Sequence, residues 1–397
     1  MKSQITEHAT IEKIIPGGQG IATLENGKKA LIWGALPGEE INFEVTKNKK
    51  SYCEGYITDI IQNTSPHRVD ARDECFLSTS PWQIMDYSYE LDQKRELVIE
   101  CLRQNNINTD VLPTITDDKD YFYRNKMEYA LYWDNNEEKI YPAFRRRGSH
   151  QKIPITQSSI ERKEIFSEVQ NIIQNLNDHH AEARKYQSIM IRCNQKGEVS
   201  TALFENGKPH PKMQNLTDII LERKYSYSPN GFFQINLPVY ELVLQEIKKH
   251  ITTQNILDLY AGVGSIGLSI SSEEQNLILV ESNKDAFQEL EQNCNKSSAR
   301  AILDKSENVP NYIQPEQTVI LDPPRAGCDR KLINELNKTT PESIIYLSCN
   351  PITQARDLSI LLENYSLEKI QPYNFFPHTP HIECLAILKR KQSLQKT

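Results

Sequence analysis

Four short apolar runs constrain the C-terminal half of the chain: NILDLY (255–260), NLILVE (276–281), TVILD (318–322) and SIIYLS (343–348). Stretches of helical periodicity separate them. Strands that read as unbroken apolar runs are covered on both faces, and covering both faces takes crossover helices. From about residue 226 onward the pattern therefore predicts a parallel sheet wound with helices. Such sheets bind ligands beyond the carboxyl ends of their strands. Whatever follows each run is thus a candidate for chemistry.

The first run continues as ILDLYAGVGSIGLSI (256–270), a strand, a glycine loop and a helix. Gly262 and Gly264 let the backbone turn tightly and approach a ligand with no Cβ in the way. The second run ends in Glu281, about 20 residues on, where an acid typically binds ribose hydroxyls. Together these point to a nucleoside-bearing cofactor. On the loop alone NAD stays open. The spacing AGVGS lacks the full dinucleotide pattern and is closer to an S-adenosylmethionine loop, where no pyrophosphate needs a cradle. The third run ends in Asp322, followed by two prolines that remove two amide donors and fix the turn, and then by Arg325. Methyltransferases acting on exocyclic amines carry an aromatic residue in that place, so Arg325 disfavours amine methylation. The fourth run ends in a thiol, YLSCNP (346–351). Taken alone, Cys349 reads as a core residue, a metal ligand or a nucleophile. The neighbouring strand-end motifs favour the nucleophile.

Upstream the pattern changes. Residues 1–63 read as short strands with turns at Gly17-Gly18, Asn26-Gly27 and Pro37-Gly38, which suggests a small β-barrel. Residues 64–85 are irregular, and YELDQKRELVIECLRQNN is helical with Leu91, Leu97, Val98 and Cys101 on one face. From about 120 to 225 strands (MEYALYW, SIMIRC, VSTALF) accompany the helical IERKEIFSEVQNIIQNL. The expected organisation is thus 1–63, 64–225 and 226–397. A net charge of -7 does not advertise a nucleic-acid binder, so such a binder would need local basic patches. Lys47, Lys49 and Lys50 form one candidate, and Arg145, Arg146 and Arg147 another. The eight cysteines show no C-x-x-C pair, and no run approaches the roughly 20 apolar residues of a membrane span. Free thiols predict a cytoplasmic protein.

These motifs, with YLSCNPITQARDL, FFPHTPHIE, NGFFQIN, YRNKMEYAL and FRRRGSHQK, resemble the RNA 5-methyluridine methyltransferase family over nearly the whole chain. The resemblance implies a Rossmann-like class I methyltransferase domain behind an N-terminal OB-like TRAM barrel and a central α/β domain, acting on RNA. The barrel favours the ribosomal-RNA group, most simply 23S RNA; the transfer-RNA T-loop group is the alternative. The resemblance makes Cys349 the nucleophile and Glu383 the base. It assigns Gln234, Tyr260, Ser265, Glu281 and Asp322 to S-adenosylmethionine, with Asp304 a further contact. His378 and His381 flank the base and are too few to hold a metal. Ribosomal-type members hold an iron–sulfur cluster on four cysteines. Here Cys75 persists, while Leu77, Ser80 and Ser158 or Ser159 stand at the other places, and one thiolate cannot hold such a cluster. No cluster is expected, and a monomer is. A non-catalytic RNA-binding assembly factor is the competing class.

Overall fold

The computed structural model describes residues 6–62, 64–182, 184–295 and 297–392. The chain opens with β1 (Thr6–Thr10), β2 (Lys13–Ile14), β3 (Gly20–Thr23), β4 (Lys29–Trp33), β5 (Glu40–Asn48) and β6 (Tyr52–Gln62). They form one sheet in the order β1-β5-β6-β4-β3-β2. β1 also touches β3, so the sheet rolls into an OB-like barrel. Alternation does the sorting: Ile41 and Phe43 of β5 point inward with Ala22, Ala30, Ile32 and Cys53, and their neighbours face out. The long β5–β6 pair bends at register shifts. Gly55 sits beside one of them, where a Cβ would lie 2.3 Å from the Glu44 carbonyl oxygen.

The next elements are α1 (Phe76–Thr79), α2 (Tyr87–Gln104), β7 (Lys126–Asp134), β8 (Lys139–Arg145), β9 (Lys152–Pro154), α3 (Lys163–Asp178), β10 (Ser188–Cys193), β11 (Val199–Glu205) and β12 (Lys208–His210). The strands make an antiparallel sheet in the order β12-β11-β10-β7-β8-β9. α3 covers it with Ile165, Val169, Ile173 and Leu176, spaced three or four apart along one stripe. α2 does otherwise. Asp86 caps it by accepting from the Tyr89 amide at 2.8 Å, and its Leu97, Val98, Cys101 and Leu102 join the core of the C-terminal sheet.

The remaining elements are β13 (Leu216–Ile220), β14 (Arg223–Tyr227), α4 (Leu237–Lys249), β15 (Asn255–Leu259), α5 (Ser265–Ile270), β16 (Asn276–Glu281), α6 (Lys284–Cys294), β17 (Arg300–Leu303), β18 (Gln317–Leu321), α7 (Arg330–Thr339), β19 (Ser343–Ser348), α8 (Pro351–Leu361), β20 (Tyr365–Tyr373) and β21 (Glu383–Arg390). β13 and β14 form a hairpin. The seven strands from β15 onward form a sheet in the order β17-β16-β15-β18-β19-β21-β20. Helices on its two faces bury two separate apolar cores. The expectation of a parallel sheet holds for β15 to β19 and fails beyond them. β21 pairs antiparallel with both β19 and β20. The physical reason is that residues 374–382 return the chain without a crossover helix. The consequence is functional: β21 starts at the edge where the parallel strands end.

That return is anchored from α2. Glu90 and Lys94, one turn apart, are both fully buried and lie 2.9 Å from each other. Lys94 donates to Asn374 Oδ1 (2.5 Å) and the Phe376 carbonyl (3.0 Å). Glu90 accepts from the His378 amide (2.9 Å) and Asn374 Nδ2 (3.1 Å). A buried pair survives because its other valences are met, and removing one partner leaves an uncompensated charge. Lys94→Ala is therefore expected to lower unfolding free energy by about 3–5 kcal/mol in urea titrations. A loss under about 1 kcal/mol would show that the pair does not hold the return loop.

Candidate active site

The sheet brings four strand ends to one edge: Tyr260 after β15, Glu281 at the end of β16, Asp322 after β18 and Cys349 after β19. Strand order reverses between β15 and β18, which opens a crevice there. Glu383 arrives from the opposite direction. In the β19–β21 ladder Ser348 lies opposite Cys384, so Glu383 is set beside the residue that follows Ser348, which is Cys349. Gln354 of α8 locks this register by donating to the Tyr346 (3.0 Å) and Cys384 (2.9 Å) carbonyls, one on each strand.

The turn after Cys349 is built by its neighbours. Asn350 caps α8, accepting from the Ile352 amide at 3.2 Å, and Pro351 takes the first helical position, where no amide is missed. Asn350 Nδ2 also donates to the Arg325 carbonyl at 2.8 Å. Asp357 ties the same loop down by accepting from the Cys328 amide (2.9 Å) and the Tyr346 hydroxyl (2.8 Å). Gly327, at φ +79°, lies where a Cβ would meet Asp357 Oδ2 at 2.8 Å. The segment DPPRAG is thereby fixed against YLSCN.

The resulting cluster is rich in acids. Burial, then Glu383 and Asp322, push the Cys349 thiol up to about 11, and Arg325 pulls the other way. Glu383 is held well above the usual carboxylate range by burial and by Asp322, again opposed by Arg325. Burial lifts Asp322 to about 7. Arg325 donates to His381 Nδ1 at 3.1 Å. Burial and that guanidinium lower His381 to about 4, so the ring is neutral at physiological pH. His378 lies elsewhere: its ring is 4.2 Å from that of Tyr121, and its nitrogens are 3.5 Å from Glu90 and Asp120.

On the cofactor side, Gly262 and Gly264 adopt φ +56° and +84°. A Cβ on Gly264 would strike Leu290 at 2.6 Å, whereas nothing lies within 4 Å of one on Gly262, so the loop has open room on that side. Glu281 accepts from the Gly262 amide at 2.8 Å and the Asn283 amide at 2.5 Å. Asp258, buried beneath the loop, accepts from the Gly267 amide at 2.9 Å. Ser265 is hydrogen-bonded to the Tyr240 hydroxyl at 2.7 Å. Asp304 donates its amide to the Glu281 carbonyl at 3.1 Å, beside the second strand end. Gln234 is buried in the segment preceding α4, its carbonyl accepting from Asn125 at 3.0 Å.

The basic candidates divide. Lys49, Lys50 and Arg145 are exposed. Lys47 is paired with Glu54 at 2.6 Å. Arg146 lies 3.5 Å from Glu44 and over the Tyr56 ring, and Arg147 packs on Trp33 and donates to the Leu77 carbonyl at 2.9 Å. Both therefore work at the seam between the barrel and the central sheet. The Cys75 region is also committed. Asp73 accepts from Ser159 Oγ (2.8 Å) and Gln83 Nε2 (2.9 Å), and Gln83 reaches Ser80 Oγ at 2.7 Å. Ser158 donates to Glu161 at 2.5 Å, and Cys75 stays half-buried with its thiol pushed up by burial. Sequence reading missed the Gln354 bonds, which leave no pattern, and the Asn350 cap, which the Asn-Pro pair at the start of α8 does signal. It also missed Glu90–Lys94, which did leave one: opposite charges four apart on an apolar helix face.

Comparisons with known proteins agree with this geometry. Residues 309–391 match the family model described as tRNA (uracil-5-)-methyltransferase, and residues 239–340 match the methyltransferase small domain. A Bacillus cereus protein named as an RNA methyltransferase is 27% identical, with 96% of each chain covered. One from Thermotoga maritima is 26% identical, covering 96% of this chain and 98% of its own. Among solved structures, the Pyrococcus abyssi tRNA (uracil-54, C5)-methyltransferase in complex with S-adenosyl-L-homocysteine superposes with a TM-score of 0.76. It is 24% identical, with 96% of this chain and 100% of that one covered. The fold and the strand-end site define an α/β methyltransferase. With residues 309–391 matching the uracil-5 family model, the chain is similar to RNA (uracil-5-)-methyltransferases. Among the described residues no helix is long and apolar enough to cross a membrane.

The raised thiol gives a direct check. In the ligand-free protein, alkylation of the Cys349 peptide by iodoacetamide, followed by mass spectrometry, is expected to rise with pH toward a midpoint near 11. Glu383→Gln removes a neighbouring negative charge and should move that midpoint down. A wild-type midpoint at or below about 8.5, the value of an unperturbed thiol, would contradict the cluster's electrostatics.

Proposed function

We propose that the protein methylates C5 of a uridine in RNA, with Cys349 as the nucleophile and Glu383 as the base. C5 of uracil is a weak nucleophile at neutral pH. Addition of the Cys349 sulfur to C6 makes an enolate and places electron density on C5, splitting one difficult step into easier ones. Glu383 then removes the proton left on C5 after methylation, and the sulfur departs as C5=C6 reforms. The observation that carries this reading is the antiparallel register that sets Glu383 beside Cys349 at the ligand-binding edge.

The residues present fit S-adenosylmethionine. Open room over Gly262, an acid at the second strand end and an acid-rich floor suit a nucleoside that bears a positive charge. Gln234, Tyr260, Gly262, Gly264, Ser265, Glu281, Asp304 and Asp322 would hold it. The bound cofactor supplies an electrophilic methyl group on a sulfonium. Asp322, Glu383 and Cys349 are three acids facing one guanidinium, and a cation among them would stabilise the anionic forms that the chemistry needs.

The target must leave its stack to reach a thiol at the sheet edge, so an unpaired loop is a cheaper substrate than a helix. Residues 1–63 and 64–225 would hold the RNA, with Lys47, Lys49, Lys50 and Arg145 to Arg147 as the basic candidates. Ribosomal RNA is the first reading, on the N-terminal barrel. Transfer RNA is the second, favoured by the close superposition on the Pyrococcus abyssi protein.

Incubation with labelled S-adenosylmethionine and cellular RNA is expected to yield 5-methyluridine, with Cys349→Ala inactive. Glu383→Gln should be slower by on the order of 10²–10⁴-fold. Full activity of Cys349→Ala would remove the covalent route. Mapping the modified positions in ribosomal and transfer RNA, with and without the gene, decides between the two targets.

A further inference from the structure

Residues 228–236 join β14 to α4 with no strand or helix of their own, and they contain Gln234, the proposed cofactor contact. Their backbone carbonyls are taken up, one after another, by side chains of the central sheet. Lys126 Nζ reaches the carbonyls of Asn230 (3.1 Å) and Gly231 (3.4 Å). Arg192 donates to those of Gly231 (3.2 Å) and Phe233 (2.6 Å). Asn125 donates through Nδ2 to the Gln234 carbonyl (3.0 Å) and through its amide to that of Ile235 (3.2 Å).

This arrangement costs the central sheet. Lys126 and Arg192 stand directly opposite each other in the β7–β10 ladder, on one face. Like charges in such a pair destabilise a sheet. Arg192 is fully buried, its Nε has no partner, and its guanidinium lies against the Tyr227 and Phe233 rings. Burial, Arg192 and Arg124 push Lys126 down to about 8. Two apolar residues would serve a core better. Carbonyl oxygens are what this pair has in return, and those oxygens belong to one segment.

The segment's side chains are sorted by that grip. Phe233 turns inward and stacks on Tyr227 at 3.9 Å. Phe232 turns outward and is 75% exposed. Asn236 reaches forward to the Phe375 carbonyl at 3.2 Å, in the loop that leads to Glu383.

We propose that Asn125, Lys126 and Arg192 form a carbonyl clamp that positions segment 230–235 so that Gln234 meets S-adenosylmethionine. They are positioning residues: they act through the backbone carbonyls of the segment. The inference rests on the reading of Gln234 as a cofactor contact, and it assigns the central sheet a task in cofactor binding.

The test uses the full chain with S-adenosylmethionine alone, read by calorimetry and by amide hydrogen exchange over 230–236. Lys126→Met keeps the apolar stem and loses the charge. It is expected to weaken cofactor binding roughly tenfold and to speed exchange of the segment by a similar factor. The thermal midpoint should stay within a few degrees, since Lys126 is only half-buried. Asn125→Ala should act in the same direction. Lys126→Arg, which keeps a cationic donor on a long stem, should recover most of the affinity, a rescue that lost packing alone would not produce. Wild-type binding with both loss variants within about twofold of it overturns the clamp and leaves the functional reading standing. A wild-type chain that binds no S-adenosylmethionine overturns the cofactor reading, and the clamp's role with it.

Discussion

The site depends on one strand running the wrong way. Parallel strands deliver Tyr260, Glu281, Asp322 and Cys349 to a common edge because each ends there. A further parallel strand would have begun at the opposite edge, some five residues away. β21 is antiparallel, so its first residue, Glu383, lies at the edge where the others finish. One slip of register would turn Glu383 to the other face. The register is held by the ladder itself, by Gln354 bridging both strands, and by the Glu90–Lys94 pair under the return loop.

Bringing these groups together is electrostatically uphill. A thiol and two carboxyls share a poorly solvated crevice with one guanidinium: burial raises all three, Asp322 raises Glu383 further, and both carboxyls raise the thiol. Such a site is a stability liability that the surrounding fold must absorb. It is also selective. Burial and the two neighbouring carboxyls favour the protonated thiol of Cys349, and a cation in the crevice would favour the anionic forms. Arg325 holds a middle position, moderating the acids through charge and engaging the neutral His381.

The sequence made the parallel strands legible because strands covered on both faces leave unbroken apolar runs. Cys349, Asp322 and Glu281 stood out for the same reason, each following such a run. Glu383 did not: a glutamate before an apolar run says nothing about strand direction, and only family resemblance singled it out. Periodicity cannot give direction either, which is why an all-parallel sheet was the natural expectation and the β20–β21 return was not. Charge without neighbours was equally opaque. Arg146 and Arg147 read as a free basic patch, yet they pack on Tyr56 and Trp33. Nothing in the sequence linked Lys126 to Arg192, because only the fold sets them face to face.

The central claim is a transient bond between the Cys349 sulfur and C6 of the target uridine. Substrate RNA carrying 5-fluorouridine tests it most directly, since fluorine at C5 cannot leave as a proton and Glu383 has nothing to remove. With S-adenosylmethionine present, a denaturation-resistant protein–RNA adduct should accumulate, and peptide mass spectrometry should place it on Cys349. An active preparation that methylates unmodified RNA, yet forms no adduct or forms one on another residue, would contradict the account.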